Sequence, residues 1–521
     1  MYIIHKLLFH NKKRKSIKML DLDYLYNQRW CNFKQEIQNQ SIKNITYDHI
    51  DFDNGQKKLV IGKVEIQDQK DRYFMMPLAK ADPQTSAETI KIGNEQYQDA
   101  VQQNDFWASF MQYLEESGNT IKIPGGWTLE YHNLGHEDII QKVKTAQSKP
   151  LNVEQSNTTI VVGDKELAFK LERMLDFTKD ITPELEMNEK LMRENSSIMP
   201  PTYGYLLLHN DKGEQSSSGI IQKFVSNKGD LWNYSVAYLK DKLQQSYLTQ
   251  TTPTPENNPE FMGLMQRLNQ KTDEMLENLS REDSNPNFTP EKITPTFIRN
   301  YEKQLSVLLY QTHRNIAENI NNLPEDSKNK AQKLLDSWSE LTNGFVQKQI
   351  NLINKNPDSG YICRVHGDFH LGQVMVTNDN DLCFIDFAGE PGLPIEQRKQ
   401  KHIYVRDIAG MYRSVNGYLG AVAVEEFADN TQSPELRQER KEYAQKAITP
   451  LINTASNTFL GKNSLKNPWL SLEVFRKNLY EVNYEVCNRP QMAYVPINGL
   501  SDLLTKDTPS NIRIKDNANN R

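Results

Sequence analysis

Asp368 and Gln373 stand five residues apart, and a second carboxylate, Asp386, follows eighteen residues after the first. A strand-like run, Gly360-Tyr361-Ile362-Cys363-Arg364-Val365, leads into them. Between Gln373 and Asp386 lie Val374-Met375-Val376, a polar turn at 377–381 and Leu382-Cys383-Phe384-Ile385. That order predicts a tight hairpin whose two edges set Gln373 beside Asp386. The chemistry such a set suits is phosphoryl transfer. One carboxylate, Asp368, orients an attacking hydroxyl and accepts its proton. An amide oxygen and a further carboxylate, Gln373 and Asp386, hold Mg²⁺ against nucleotide phosphates. Oxygen donors fit a hard cation, and few are needed because Mg²⁺ keeps waters.

A single Asp-Phe at a strand end is more often a cap or a turn. His366-x-Asp368-x-His370 has the spacing of a transition-metal cluster, but no further clustered His or Cys supports it. The pairing of the two acidic segments across a hairpin is more specific than either piece. His366 reads as structural, hydrogen-bonded within its loop.

Phosphoryl transfer also needs a cation on the phosphates and an acid to hold that cation. Lys170 ends an alternating run, Glu166-Leu167-Ala168-Phe169-Lys170-Leu171, and the predicted helix after it offers Glu184, Glu186 and Glu189. Glu186 is the expected partner. The turn Gln155-Ser156-Asn157-Thr158 precedes the first hairpin strand. Its hydroxyls and backbone N–H groups, at Ser156, Asn157 and Thr158, are candidates to cover phosphates, although no GxGxxG is present. The strand carrying Gln222, Phe224 and Val225 would then offer backbone groups to adenine.

These residues need a scaffold of more than one core. The chain has 521 residues, which predicts two or three domains or lobes. It is 37% hydrophobic and 25% charged, as in globular proteins, and its net charge of −5 lacks the basic excess of a nucleic-acid binder. Four scattered cysteines, Cys31, Cys363, Cys383 and Cys487, form no CxxC pair. They argue against a disulfide framework and for a reducing, cytoplasmic setting. No run of eighteen apolar residues predicts a membrane span. The apolar start at 2–9 is followed, not preceded, by Lys12-Lys13-Arg14-Lys15, a poor signal peptide. Residues 1–19 are therefore expected to form a flexible tail.

Strands and turns are expected over 20–82, a helix around 105–111, a hairpin over 158–171 turning at Gly163-Asp164, and a helix from Pro183 at its N1 position. Within the polar stretch 244–295, residues 251–259 read as a loop and the flanks as exposed helix. A long helix is expected over 297–320, and a frayed tail from 507. The coarse pattern is a mainly β N-terminal half and a mainly helical C-terminal half.

At this level of detail the chain resembles the maltokinase family, bacterial enzymes similar to aminoglycoside and choline kinases. The resemblance rests on Arg364-Val365-His366-Gly367-Asp368-Phe369-His370-Leu371-Gly372-Gln373-Val374, on Ile385-Asp386-Phe387-Ala388-Gly389-Glu390-Pro391 and on Arg406-Asp407-Ile408-Ala409-Gly410-Met411-Tyr412-Arg413. Gln28-Arg29-Trp30 and Tyr484-Glu485-Val486-Cys487-Asn488-Arg489-Pro490 also fit, so it spans about 20–504. It implies an α+β, bilobal protein-kinase-like fold. A β-rich cap subdomain over 20–104, a β-sheet N-lobe over 105–226 and a mainly helical C-lobe over 227–521 would leave a cleft between the lobes. It implies ATP and Mg²⁺ as cofactors, and transfer of the γ-phosphoryl group to the anomeric hydroxyl of maltose. The product would feed α-glucan synthesis, with a functional link to trehalose synthase.

Ala388 stands where that resemblance leads one to expect an acidic residue. Carboxylates bind sugar hydroxyls well, so the substitution bears on the acceptor. Glu390, Arg398, Tyr412, Arg413 and Glu485 are the sugar-side candidates. The competing readings are a kinase for glucosamine or an aminoglycoside on the same scaffold, and a nucleotide-binding pseudokinase. Retention of Asp368, Gln373, Asp386 and Lys170 together argues against the last.

Overall fold

The computed structural model describes residues 22–82, 88–135, 139–145, 148–150, 158–163, 165–356, 360–390, 393–429, 431 and 433–506. The expected tails at 1–19 and from 507, and the turn residues Ser156, Asn157 and Asp164, lie outside the described residues. The chain divides into two compact units. Unit 1 is Met1–Glu189 with Pro200–Val225; unit 2 is Lys190–Met199 with Ser226–Arg521.

Unit 1 is built on two antiparallel sheets. The first runs β1 (Ile42–Phe52), β2 (Lys57–Ile66), β3 (Arg72–Lys80), β4 (Ile90–Ile92) and β5 (Glu95–Asp99), in the order β1-β2-β3-β5-β4. Two short helices, Leu22–Asn27 and Lys34–Gln38, precede it, where the sequence led us to expect strands and turns alone. The second sheet has β6 (Thr120–Ile123), β7 (Trp127–Asn133), β8 (Ser148–Pro150), β9 (Thr158–Val162) and β10 (Leu167–Leu171). After the short β11 (Met174–Leu175), which pairs with β3, come β12 (Thr202–His209) and β13 (Gln215–Lys223). Its order is β6-β7-β12-β13-β10-β9-β8. The helix Asn104–Glu116 contributes Phe106, Trp107, Phe110 and Met111 to a core shared with both sheets.

The β9–β10 hairpin forms in the expected register, with Lys170 opposite Thr159 on β9 and opposite Ile220 on β13. Lys170 therefore sits on an inner strand of the second sheet. Its neighbour Phe169 is fully buried, and Gly219 on β13 makes room for that ring. A Cβ at 219 would lie 2.5 Å from Phe169 Cε2. Glycine inside a strand marks such a close approach.

Unit 2 is mainly helical. The flanks of the polar stretch are helices Leu231–Thr249 and Pro259–Leu279. They are not the exposed helices expected: Phe261, Leu264, Met265, Leu268, Met275 and Leu276 bury one face of the second. The long helix is Pro295–Asn319. The hairpin expected between Gln373 and Asp386 forms, Val374–Thr377 against Leu382–Phe384, with Asn227–Asp230 added at its edge. The unit also contains helices Glu325–Asp336, Trp338–Lys355, Arg406–Arg413, Gly420–Ala428, Pro434–Leu460, Pro468–Asn488 and Tyr494–Lys506. Among the described residues no helix is long and apolar enough to cross a membrane.

Gly219→Val drives methyl groups into Phe169 and should lower stability by about 1–3 kcal/mol, the usual cost of overpacking. Gly263→Ala, in the Pro259–Leu279 helix with nothing nearer than 3.7 Å, should raise the apparent melting temperature instead. Scanning calorimetry of the two variants reads both signs.

Candidate active site

The loop that presents Asp368 is held by one buried side chain from another element. Asp407, in the first turn of the Arg406–Arg413 helix, accepts the backbone N–H of His366 at 2.7 Å and of Gly367 at 3.0 Å. Burial pushes its carboxyl above the usual range, although both N–H groups and nearby cations pull the other way. Gly410, one turn on, lets the helix come up to the loop: a Cβ there would lie 2.8 Å from the Phe369 carbonyl oxygen. His366 is fully buried, and its Nε2 is 3.0 Å from the Ile385 carbonyl, so it is tied to the following segment and not within its own loop as expected. Gly367 and Gly389 both have positive φ, and a Cβ at 367 would meet Gly389 Cα at 3.3 Å. The loop at 366–368 and the segment after Ile385 thus pack backbone against backbone.

Asp368 follows directly, half-buried, with His370 Nε2 3.9 Å from Oδ2. Gln373 and Asp386 come together as the hairpin predicted, Gln373 Nε2 donating to Asp386 Oδ2 at 3.3 Å. Asp386 has φ +63°, left-handed backbone that costs a non-glycine residue energy and recurs at functional positions. An amide and a carboxylate held side by side on one hairpin are the donor chemistry of a hard cation.

In unit 1, Lys170 Nζ meets Glu184 at 2.7 and 2.8 Å. The partner expected from sequence was Glu186, which is itself buried. Two residues turn a helix by roughly 200°, so the two carboxylates point to nearly opposite sides of it. Thr158 begins β9, opposite Leu171. Gln222 directs its side-chain amide to Thr202 Oγ1 at 3.1 Å, and the Phe224 N–H is engaged by the Glu166 carbonyl at 2.9 Å. Phe224 cannot donate that N–H to a base without giving up this bond. Val225 is half-buried just beyond β13.

The sugar-side candidates separate. Glu390 shares a small recess with Asp368, Lys477 and Tyr480. Burial and a hydrogen bond to Glu390 both push the Tyr480 hydroxyl well above its ordinary value. Glu485 lines a cavity of about 380 Å³ together with His370, Trp232, Lys477, Tyr480 and Glu481. Arg398 instead donates to the Ala388 carbonyl at 3.3 Å and packs on Gly389. Tyr412 and Arg413 do not line the cavity beside His370; they line a larger one of about 810 Å³. Gly410 and Ser414 are the residues of this turn that reach the smaller cavity. Measured from Ser414, Tyr412 is rotated by roughly 200° and Arg413 by roughly 100°.

Lys477, Tyr480, Glu481 and Tyr484 were not singled out from sequence. Their i, i+3, i+4, i+7 spacing on the Pro468–Asn488 helix was the available signal. The carboxylates of that wall are compensated. Glu481 Oε2 accepts Arg413 Nε at 2.9 Å, and Glu485 accepts Arg489 at 2.5 and 3.0 Å and the Tyr418 hydroxyl at 3.1 Å.

No protein-family model matches the chain. A glucosamine kinase of Streptacidiphilus jiangxiensis is 30% identical over 143 residues, 27% of this chain, and the chain spans 31% of that relative's length. Among solved structures, glucosamine kinase in complex with glucosamine, ADP and inorganic phosphate aligns over 88% of this chain and 94% of its own. The TM-score is 0.54 and the identity 17%. Glucosamine kinase in its crystal form A aligns over 91% of this chain and 94% of its own, with TM-score 0.55 and 17% identity. The chain shares the mixed α+β fold of these glucosamine kinase structures.

Asp407→Ala leaves two buried N–H groups without an acceptor and should cost about 3 kcal/mol. Hydrogen exchange at the His366 and Gly367 amides should speed up with it. Asp379→Ala, at the exposed hairpin turn, should leave both amides protected.

Proposed function

We propose that this chain transfers the γ-phosphoryl group of ATP to a hydroxyl of a small sugar. The observation that carries the reading is Asp368 on a loop fixed by Asp407, next to a cavity walled by aromatic and charge-compensated groups. Asp368 accepts the proton of the attacking hydroxyl as the bond to phosphorus forms. Gln373 and Asp386 would hold Mg²⁺, which when bound neutralises charge on the phosphate oxygens. Lys170, fixed by Glu184, supplies a cation for the nucleotide phosphates. Tyr480 and Tyr484 offer ring faces to a sugar, and Glu390, Lys477 and Glu485 offer polar contacts to its hydroxyls.

The finer reading is maltose phosphorylated at its anomeric hydroxyl. It is supported by the sequence resemblance and by the charge of the cavity wall. Glu481 and Glu485 each already hold an arginine, and Lys477 lines the same cavity. That wall suits neutral hydroxyls better than an ammonium group. Glucosamine is the second reading, favoured by the name of the relative that aligns over 143 residues.

An ADP-release assay over maltose, glucose, glucosamine and an aminoglycoside separates the two. Turnover with maltose is expected, and turnover with the amino compounds alone would overturn the maltose reading. Asp368→Asn should lower kcat by about 10²–10⁴-fold with nucleotide affinity retained. Asp386→Ala should instead weaken Mg²⁺-dependent nucleotide binding measured by calorimetry.

A further inference from the structure

We propose that His370 is a further acceptor-binding residue, whose Nε2–H clamps the attacking hydroxyl together with Asp368. The assignment rests on the reaction proposed above, in which a sugar hydroxyl gives its proton to Asp368. His370 stands just before the short helical turn Leu371–Gln373 and caps it, Nδ1 accepting the Gly372 N–H at 3.1 Å. A backbone N–H only donates, so Nδ1 carries no proton. The ring is then the neutral tautomer with its proton on Nε2. Gly372 lets the ring lie this close: a Cβ there would stand 2.9 Å from His370 Cε1 and 3.0 Å from Nδ1. One edge of the ring is thus spent on the loop, and the other edge holds a fixed donor.

That donor stands where an acceptor has to pass. His370 lines the cavity of about 380 Å³ with Lys477 and Tyr480, and those two also line the recess that holds Asp368. Nε2 is 3.9 Å from Asp368 Oδ2, too far for a direct hydrogen bond. Two hydrogen bonds of about 2.8 Å each span such a gap through a single oxygen, meeting there at roughly 90°. A hydroxyl meets both demands at once. It donates its proton to Asp368 and accepts the Nε2–H on one lone pair, which leaves the other lone pair for phosphorus. A protonated amine is only a donor and cannot accept from Nε2–H, so the clamp selects oxygen as the nucleophile.

The test begins with His370→Asn in the full chain. Asn keeps an acceptor for the Gly372 N–H, being a preferred residue at a helical cap, and removes the Nε2–H. kcat/KM for the sugar that the unaltered chain turns over should fall about tenfold, the size of one lost hydrogen bond, while nucleotide affinity measured by calorimetry stays within about twofold. His370→Gln, whose terminal amide reaches about as far as Nε2, should recover part of that loss. A role in capping alone gives the reverse, full turnover in His370→Asn and a loss in His370→Gln, and would overturn the assignment. The ring proton is read separately and without turnover, from nitrogen chemical shifts of protein carrying ¹⁵N-labelled histidine, the His370 signal being identified by its absence in His370→Asn. Protonation at Nε2 is expected, and protonation at Nδ1 overturns the clamp whatever the substrate. Absence of phosphorylation of any sugar by the unaltered chain overturns the proposed reaction and the clamp with it, whereas turnover that His370→Asn leaves intact overturns the clamp alone.

Discussion

The arrangement of the candidate site depends on one buried carboxylate. Asp407 is 2% exposed and accepts two consecutive backbone N–H groups of the loop that presents Asp368. Burying a carboxylate is costly unless its oxygens are satisfied, and here the donors come from the segment whose position matters. From that anchor the loop is tied onward, His366 Nε2 to the Ile385 carbonyl and Gly367 to the backbone of Gly389. The general-base candidate and the metal-binding candidates therefore occupy segments fastened to the same two residues. Three glycines, 367, 389 and 410, serve this arrangement, each where another backbone approaches too closely for an ordinary side chain or where φ is positive.

What could be read from the sequence was local. Alternation and a polar turn gave both hairpins, 158–171 and 374–384, and the second hairpin fixed the Gln373–Asp386 pairing. What could not be read was rotational phase. Glu184, Glu186 and Glu189 share one helix, and which of them meets Lys170 depends on how that helix is rolled against the sheet. The same uncertainty applies to Tyr412 and Arg413, which line the larger cavity, whereas Gly410 and Ser414 line the one beside His370. Composition misled in the polar stretch: the average over 244–295 is hydrophilic, yet Phe261, Leu264, Met265 and Leu268 recur at helical spacing and are buried. A period test over that window would have found them.

The Pro468–Asn488 helix shows why phase matters for substrate choice. Lys477, Tyr480, Glu481 and Tyr484 form one stripe, facing the cavity beside His370, while Ser471, Val474 and Asn478 form an adjacent stripe facing the larger one. Glu481 and Arg413 belong to different cavities and meet between them. Breaking such a buried pair from one side leaves the other charge uncompensated, which is far more damaging than never having had the pair. The pair thus sets the roll of this helix relative to the Arg406–Arg413 helix, the element that also carries Asp407. The wall of the cavity beside His370 and the anchoring of the loop are linked through two adjacent turns of one helix. Altering Glu481 would consequently disturb Arg413 first. Tyr480 and Tyr484 line the same cavity without carrying an ion pair of the scaffold, so a change at either would leave the Arg413 pair in place.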